Sequence, residues 1–187
     1  MVAANNDISL KSRIKELFVD YLLIIAYLVI LFLLSLSFYI FIFGKIPYFT
    51  LLQSQLIAGL TSVVPVVIGF SWMDYCGGSF GKRKAGLRLS YQKKTFLAAS
   101  IRNIIKFFPW QLGHMGTIDG IYTDYTSLFG HICTSASLIL LFILLWMGLF
   151  RKDKRHLGDL LAGTQVVKKE SEAKTPNSYI KLSKYSV

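Results

Sequence analysis

Between Leu17 and Phe43 the chain runs for 27 residues with a single charged side chain, Asp20. About 20 apolar residues span the hydrocarbon core of a bilayer as an α-helix, so this run crosses it with length to spare for tilt. It does not read as a cleavable leader, whose apolar stretch is about 7–15 residues long and precedes a small-x-small site. Two more runs of the same kind follow. Phe49 to Met73 carries no charge and ends at Asp74, and Ser127 to Phe150 has no Lys, Arg, Asp or Glu and stops at Arg151-Lys152. The turn Gly44-Lys45-Ile46-Pro47 is too short for anything but an antiparallel hairpin. A chain organised this way is an integral membrane protein, and its composition agrees. Of its residues 53% are hydrophobic and 17% charged, against about 45–50% and 25% in soluble domains. Hydrophobicity at that level excludes a disordered chain, and two cysteines exclude a disulfide scaffold.

The net charge of +11 would ordinarily suggest nucleic acid. Its placement gives it another meaning. Of 21 Lys and Arg, 18 lie in three segments: before the first run, between Lys82 and Lys94, and after Phe150. The stretch Gly116 to Thr126 has no base and two aspartates, Asp119 and Asp124. The positive-inside rule then puts the N-terminus, the Lys82–Lys94 loop and the C-terminal tail in the cytoplasm. Both termini on one side require an even number of crossings, and three strong runs are odd. The segment Thr95 to Met115 is long enough to supply the fourth, although it holds Arg102, Asn103, Lys106, Pro109, Gln111 and His114. Arg102 and Lys106 are four apart and share a helix face, so this helix either lies in the interface or crosses with its basic face turned inward. Parity favours the crossing. The expected fold is an all-α membrane protein, a four-helix transmembrane bundle with spans at about 17–43, 49–73, 95–115 and 127–150. Residues 1–168 form the multi-pass domain in the cell membrane, and 169–187 a disordered cytoplasmic tail.

The polar exceptions carry what chemistry there is. Asp20 sits a few residues inside the inner boundary, where a carboxylate must be paired or wet. It reads either as a cation- or proton-binding group or as an interhelical anchor paired with Arg102 or Lys106. Arg13 lies seven residues earlier on the same face, about 10 Å along the axis. The loop Gly77 to Leu89 is glycine-rich and basic, but it is no phosphate loop: three residues, not four, separate Gly77 from Gly81, and Arg83 follows Lys82. Its Gly81, Lys82, Arg83 and Arg88 read either as a surface for anionic lipid headgroups, at about 1 kcal/mol per exposed base, or as a topology determinant. Arg155 and Asp159, four apart, suggest a local helix salt bridge, and Gly163 can end that helix. Leu87–Tyr91 and Thr164–Val167 alternate as short strands and are expected to pair, bringing the Gly81-Lys82-Arg83 turn close to Asp159.

Nothing else is organised for catalysis. His114, His131, His156, Cys76 and Cys133 lack metal-ligand spacing, and no Ser–His–Asp or H-E-x-x-H arrangement is present. No enzyme activity, cofactor, metal or nucleic-acid partner is expected. The expected partners are the lipid bilayer and its anionic headgroups, with a second copy or another membrane protein.

Arg13 followed by Asp20, the Gly-Lys-Arg-x-x-Gly-Leu-Arg turn at Gly81 to Arg88, the basic helix at Arg102, and Asp159-Leu-Leu-Ala-Gly-Thr-x-Val-Val together resemble the RDD family of membrane proteins. The resemblance covers roughly Lys11 to Lys168. It implies that Arg13, Asp20 and Asp159 are the arginine and two aspartates that give the family its name. The chain departs from the family pattern at Ser79-Phe80, where a Thr or similar polar residue and Pro are common, and at His156-Leu-Gly before the second aspartate. A transport role is implied by members described as sodium/proton antiporters; other members look like small regulatory or accessory proteins. On the transport reading Asp20 binds Na⁺ or a proton, Arg13 sets its pKa and Asp159 gates. On the accessory reading the same three residues clamp the first span to the tail.

Overall fold

The computed structural model describes residues 8–169; the expected disordered tail lies, from residue 170 on, outside the described residues. The first apolar run becomes one helix, α1 (Leu10–Phe43). The Ser9 hydroxyl caps it by accepting the Ser12 N–H, and Gly44 closes it at φ 66°. The second run differs from the unbroken helix its hydropathy suggests. It divides into α2 (Leu51–Ala58), a π turn at Gly59–Val63 and α3 (Val64–Tyr75). Pro65 is the cause: it has no N–H for the Thr61 carbonyl four residues back. The ladder loosens, with the Val64 N–H reaching Gly59 O, and the Tyr27 phenol on α1 donates to the stranded Thr61 carbonyl at 2.5 Å.

After α3 come a short helix α4 (Phe80–Lys84), strand β1 (Leu87–Tyr91), the long α5 (Phe96–Tyr122), α6 (Leu128–Phe150), α7 (Leu157–Ala162) and strand β2 (Thr164–Lys168). The two alternating segments pair antiparallel, Leu87 opposite Lys168 and Tyr91 opposite Thr164. Their inward side chains Leu87, Leu89 and Val166 close over Ile8. Among the described residues three helical stretches are long and apolar enough to cross a membrane: Leu10–Phe43, Leu51–Tyr75 and Leu128–Phe150. Helix α5 extends seven residues beyond the segment expected from sequence. It reaches a comparable length, about 40 Å at 1.5 Å per residue, but is too polar to join them on composition.

Helix α5 is nonetheless the element around which the others gather, touching α2, α3, α6 and α7. It packs tightly on α6 where Gly116 meets Gly130 and Thr134. A Cβ on Gly116 would lie 2.8 Å from the Gly130 carbonyl oxygen, the close small-residue packing that holds helices together where lipid competes for apolar surface. At one end of the helices Arg13 Nε reaches Gly148 O at 3.4 Å. At the other, the Tyr122 hydroxyl donates to Phe49 O at 2.5 Å and the Tyr39 ring packs at a tilt against Phe49.

The distribution of polarity is inverted relative to a soluble protein. The buried residues of α1 are Arg13, Glu16 and Asp20, while Phe32, Leu34 and Phe41 on the same helix are more than half exposed. Positions i, i+3 and i+7 share a face, so α1 turns a charged stripe inward and an apolar surface outward, as suits a helix in lipid.

Candidate functional site

The charged stripe of α1 meets α4, the end of α3, the beginning of α5 and α7 in one continuous network. Arg13 Nη1 is 2.5 Å from Glu16 Oε2. Glu16 lies 3.4 Å from Lys82 Nζ, which in turn lies 2.9 Å from Asp74 Oδ1. The other oxygen of Asp74 accepts from Arg102 Nη1 at 2.6 Å and from Asn103 Nδ2 at 3.0 Å. Arg102 Nε donates to Asp159 Oδ1 at 2.6 Å, and the Thr164 hydroxyl shares that oxygen at 2.8 Å. One guanidinium thus joins the end of the second span to the C-terminal segment. Arg13, Lys82, Arg102 and Lys106 face Glu16, Asp20, Asp74 and Asp159. Equal numbers of opposite charges permit this burial, because an unpaired one would cost several kcal/mol.

Asp20 is bound by the α4 turn. The Ser79 hydroxyl donates to Oδ2 at 2.6 Å and the Gly81 N–H to Oδ1 at 2.7 Å. Lys106 Nζ stands 3.9 Å from Oδ2, beyond hydrogen-bond reach, and Arg102, the other base expected to pair with Asp20, is committed elsewhere. Gly81 is required here by space: a Cβ would sit 2.6 Å from Asp20 Oδ1 and overlap the Glu16 carbonyl. Ser79 also caps α4 and accepts from Lys82 Nζ at 3.2 Å, so one hydroxyl links Asp20 to Lys82.

The basic loop divides in two. Arg83 and Arg88 are exposed, as a headgroup-binding surface needs. Lys82 is fully buried and paired with Asp74 and Glu16, and Gly81 is buried against α1, so neither belongs to an exposed surface. The expected bridge from Arg155 to the Asp159 carboxylate is absent, because Arg102 holds that group. Arg155 instead donates to the backbone carbonyls of Asp159 and Thr164, each at 2.8 Å. Arg13 touches neither Asp20 nor Asp159; Glu16 and Gly148 occupy it.

Outside the spans, burial and charge pull in opposite directions. Burial favours the neutral form of Asp159, but the charge and hydrogen bond of Arg102, together with His156 and the Thr164 hydroxyl, outweigh it and hold the carboxyl well below the ordinary range. His156 caps α7 with Nδ1, which accepts the Gly158 N–H at 3.0 Å, leaving Nε2 to carry the proton of the neutral ring. Burial pushes its pKa down to about 3, with Asp159 only partly offsetting it. Nε2 lies 3.2 Å from Asp159 Oδ2, but off-line for a hydrogen bond, and has no such partner among the described residues.

A model of the RDD family matches residues 9–163, most of the chain and every charged residue of the network. The chain belongs to the RDD family. No curated protein and no solved structure matches it. Membership together with three apolar helices makes this a membrane protein. The arginine and two aspartates associated with the family name are not in mutual contact in this RDD chain; Glu16, Ser79, Lys82, Asp74 and Arg102 connect them. Of these connectors Glu16, Ser79 and Asp74 escape a reading by motif. Glu16 carries a signal all the same, since it falls between Arg13 and Asp20 on one helix face.

Between α1, α5 and α6, beside Asp20, lies a cavity of about 480 Å³. Its walls are mostly apolar, Ile24, Leu28, Trp110 and Leu144 among them, and Arg13, Asp20, Lys106 and His156 also line it. Among the described residues no cluster of three or more His, Cys, Asp or Glu side chains is arranged to hold a metal ion.

Proposed function

We propose that the protein is a non-catalytic accessory protein of the cell membrane, whose buried charges latch the cytoplasmic ends of its helices into one body. In this reading four helices cross: α1, Leu51–Tyr75, α5 and α6, with both termini in the cytoplasm. The exposed apolar surface of α1 meets a second copy or the membrane helices of another protein. The observation that carries the reading is the state of Asp20: both oxygens are taken, by Ser79 and by Gly81, so the carboxylate holds the α4 turn against α1. The placement of 18 of the 21 bases supports the orientation. The contacts of Arg13 with Gly148 and of Tyr122 with Phe49 support α5 as the fourth crossing.

Cation/proton exchange is the second reading, favoured by one observation. Asp20 and Lys106 both line the cavity, and no hydrogen bond joins them, so a proton or Na⁺ can compete with the ammonium for the carboxylate. Against it stands the small number of helices, which leaves little material for alternating access. Proteoliposomes holding the purified protein under imposed Na⁺ and pH gradients separate the two. The accessory reading expects no flux above protein-free vesicles, from wild type or from Asp20→Asn. Flux in wild type that disappears in Asp20→Asn would establish exchange in its place.

A further inference from the structure

The cavity between α1, α5 and α6 has a feature that the latch does not use: hydrogen-bond donors without acceptors at its polar end. Lys106 Nζ makes no hydrogen bond among the described residues. It lies over the rings of Phe70 and Phe107 at 4.7 and 4.9 Å and stands 3.9 Å from Asp20. Asp20, the one carboxylate lining the cavity, already accepts from Ser79 and Gly81. Arg13 spends Nη1 on Glu16 and Nε on Gly148 O, while its Nη2 has no hydrogen bond among the described residues. His156 is more than nine-tenths buried and lines the same cavity, and its Nε2 is without a hydrogen-bond partner. His156 Nε2 is the buried donor left unmet, which costs free energy; the partly exposed Lys106 ammonium and Arg13 Nη2 face the same cavity, and donors converging there mark where an acceptor belongs.

The remainder of the cavity is hydrocarbon in character, walled by Leu17, Ile25 and Leu28 of α1, Trp110 of α5, and Leu141 and Leu145 of α6. Its volume of about 480 Å³ falls within the roughly 300–1,000 Å³ of small-molecule sites. We infer that this cavity binds an anionic amphiphile, its carboxylate or phosphate received by Lys106, Arg13 and His156 and its acyl chain laid between α1, α5 and α6. Charge complementarity selects this class. A zwitterionic or neutral amphiphile fills the apolar walls equally well but brings no net negative charge to the Lys106 ammonium, which Asp20 faces at 3.9 Å without a hydrogen bond. The site is distinct from the exposed Arg83 and Arg88, and it does not depend on whether the protein transports ions.

Trp110 reports on the cavity directly. Trp72 and Trp146 are more than 60% exposed on the outer surface, so the double variant Trp72→Phe/Trp146→Phe leaves a single fluorophore inside the site. In phosphatidylcholine vesicles this protein is titrated with a brominated fatty acid, brominated phosphatidylglycerol or brominated phosphatidylcholine. Saturable quenching of Trp110 is expected with an anionic probe, at a mole fraction roughly tenfold below that needed for phosphatidylcholine, the measure of one charge-assisted hydrogen bond. Saturation by the fatty acid alone identifies a free acid as ligand, and saturation by phosphatidylglycerol identifies a membrane phospholipid; either supports the site. Lys106→Gln abolishes the preference and Lys106→Arg retains it. Equal quenching by anionic and zwitterionic probes in the Trp110-only protein overturns the inference, as does a preference that survives Lys106→Gln. The Trp110-only protein keeps the charge network intact, so the first comparison is independent of any folding defect in the lysine variants.

Discussion

Single residues of like chemistry differ here in where their charges are buried. Lys82 and Lys84 lie two apart in the same basic run, yet Lys82 is enclosed by Glu16 and Asp74 while Lys84 is exposed. Removing one partner of a buried pair leaves the other uncompensated, at a cost of about 3–5 kcal/mol. An exposed substitution of the same chemistry stays within about 0.5 kcal/mol. Thermal unfolding in detergent is therefore expected to drop sharply for Lys82→Met and hardly at all for Lys84→Met. Equal small effects would mean that the network does not hold the fold. This difference is not legible in the sequence, where the run from Lys82 to Lys94 has no acid and reads as a solvated loop. Its partner Asp74 stands at the end of an apolar run, eight residues earlier, and only the Gly77–Gly78 turn brings the two together. Asp20 was legible as an exception, but its partners were not: two of its three contacts are a serine hydroxyl and a backbone N–H, groups with no charge to search for.

Individual elements depend on close fits at the same junction. Helix α4 docks on α1 through Gly81, where a methyl group would overlap Asp20 and the Glu16 carbonyl. Overpacking of this kind costs about 1–3 kcal/mol. Gly69 of α3 has open space around its Cβ position, and alanine there gains helix propensity of about 0.5–1 kcal/mol. Gly81→Ala is expected to lower the unfolding temperature and Gly69→Ala to hold or raise it. The α7–β2 segment carries the acid sensitivity. His156 titrates near 6.5 when unfolded and near 3 in place, so its contribution is complete above pH 6.5 and is lost as pH falls between those values. Asp159, also depressed, loses its contribution further down, below the ordinary carboxylate pKa. The protection factors of the β2 amides, the intrinsic rate at each pH divided by the exchange rate, should fall between pH 6.5 and 4, and His156→Asn, which keeps a capping side chain but cannot titrate, should flatten that response. An unchanged profile in His156→Asn would assign the sensitivity elsewhere. The strands themselves were readable from alternation. The π turn leaves no mark in the hydropathy, although its cause, Pro65 within an apolar run, stands in the sequence; that Tyr27 meets the freed carbonyl is a matter of packing.

On the scale of the whole molecule, hydropathy reveals which segments can meet lipid but not which face of each turns inward, because lipid and an apolar core accept the same side chains. The charges decide the inward face, and they put it on the side where α1 begins and α6 ends. If α5 crosses, the Tyr122–Thr126 turn lies across the membrane from Cys76. A membrane-impermeant thiol reagent on intact cells should then label Asp124→Cys directly, and exposed Cys76 only after permeabilisation. Labelling of both from one side would leave α5 in the interface. The central claim, that one charge network unites the helix ends, rests on Arg102, which holds Asp74 and Asp159 at once. Hydrogen exchange of Arg102→Gln in nanodiscs tests it most directly. Exchange is expected to be faster both in α7–β2, through Asp159, and in α4, through Asp74 and Lys82, while the α5–α6 contact at Gly116 stays protected. Exchange confined to α7–β2, or unchanged throughout, would contradict it.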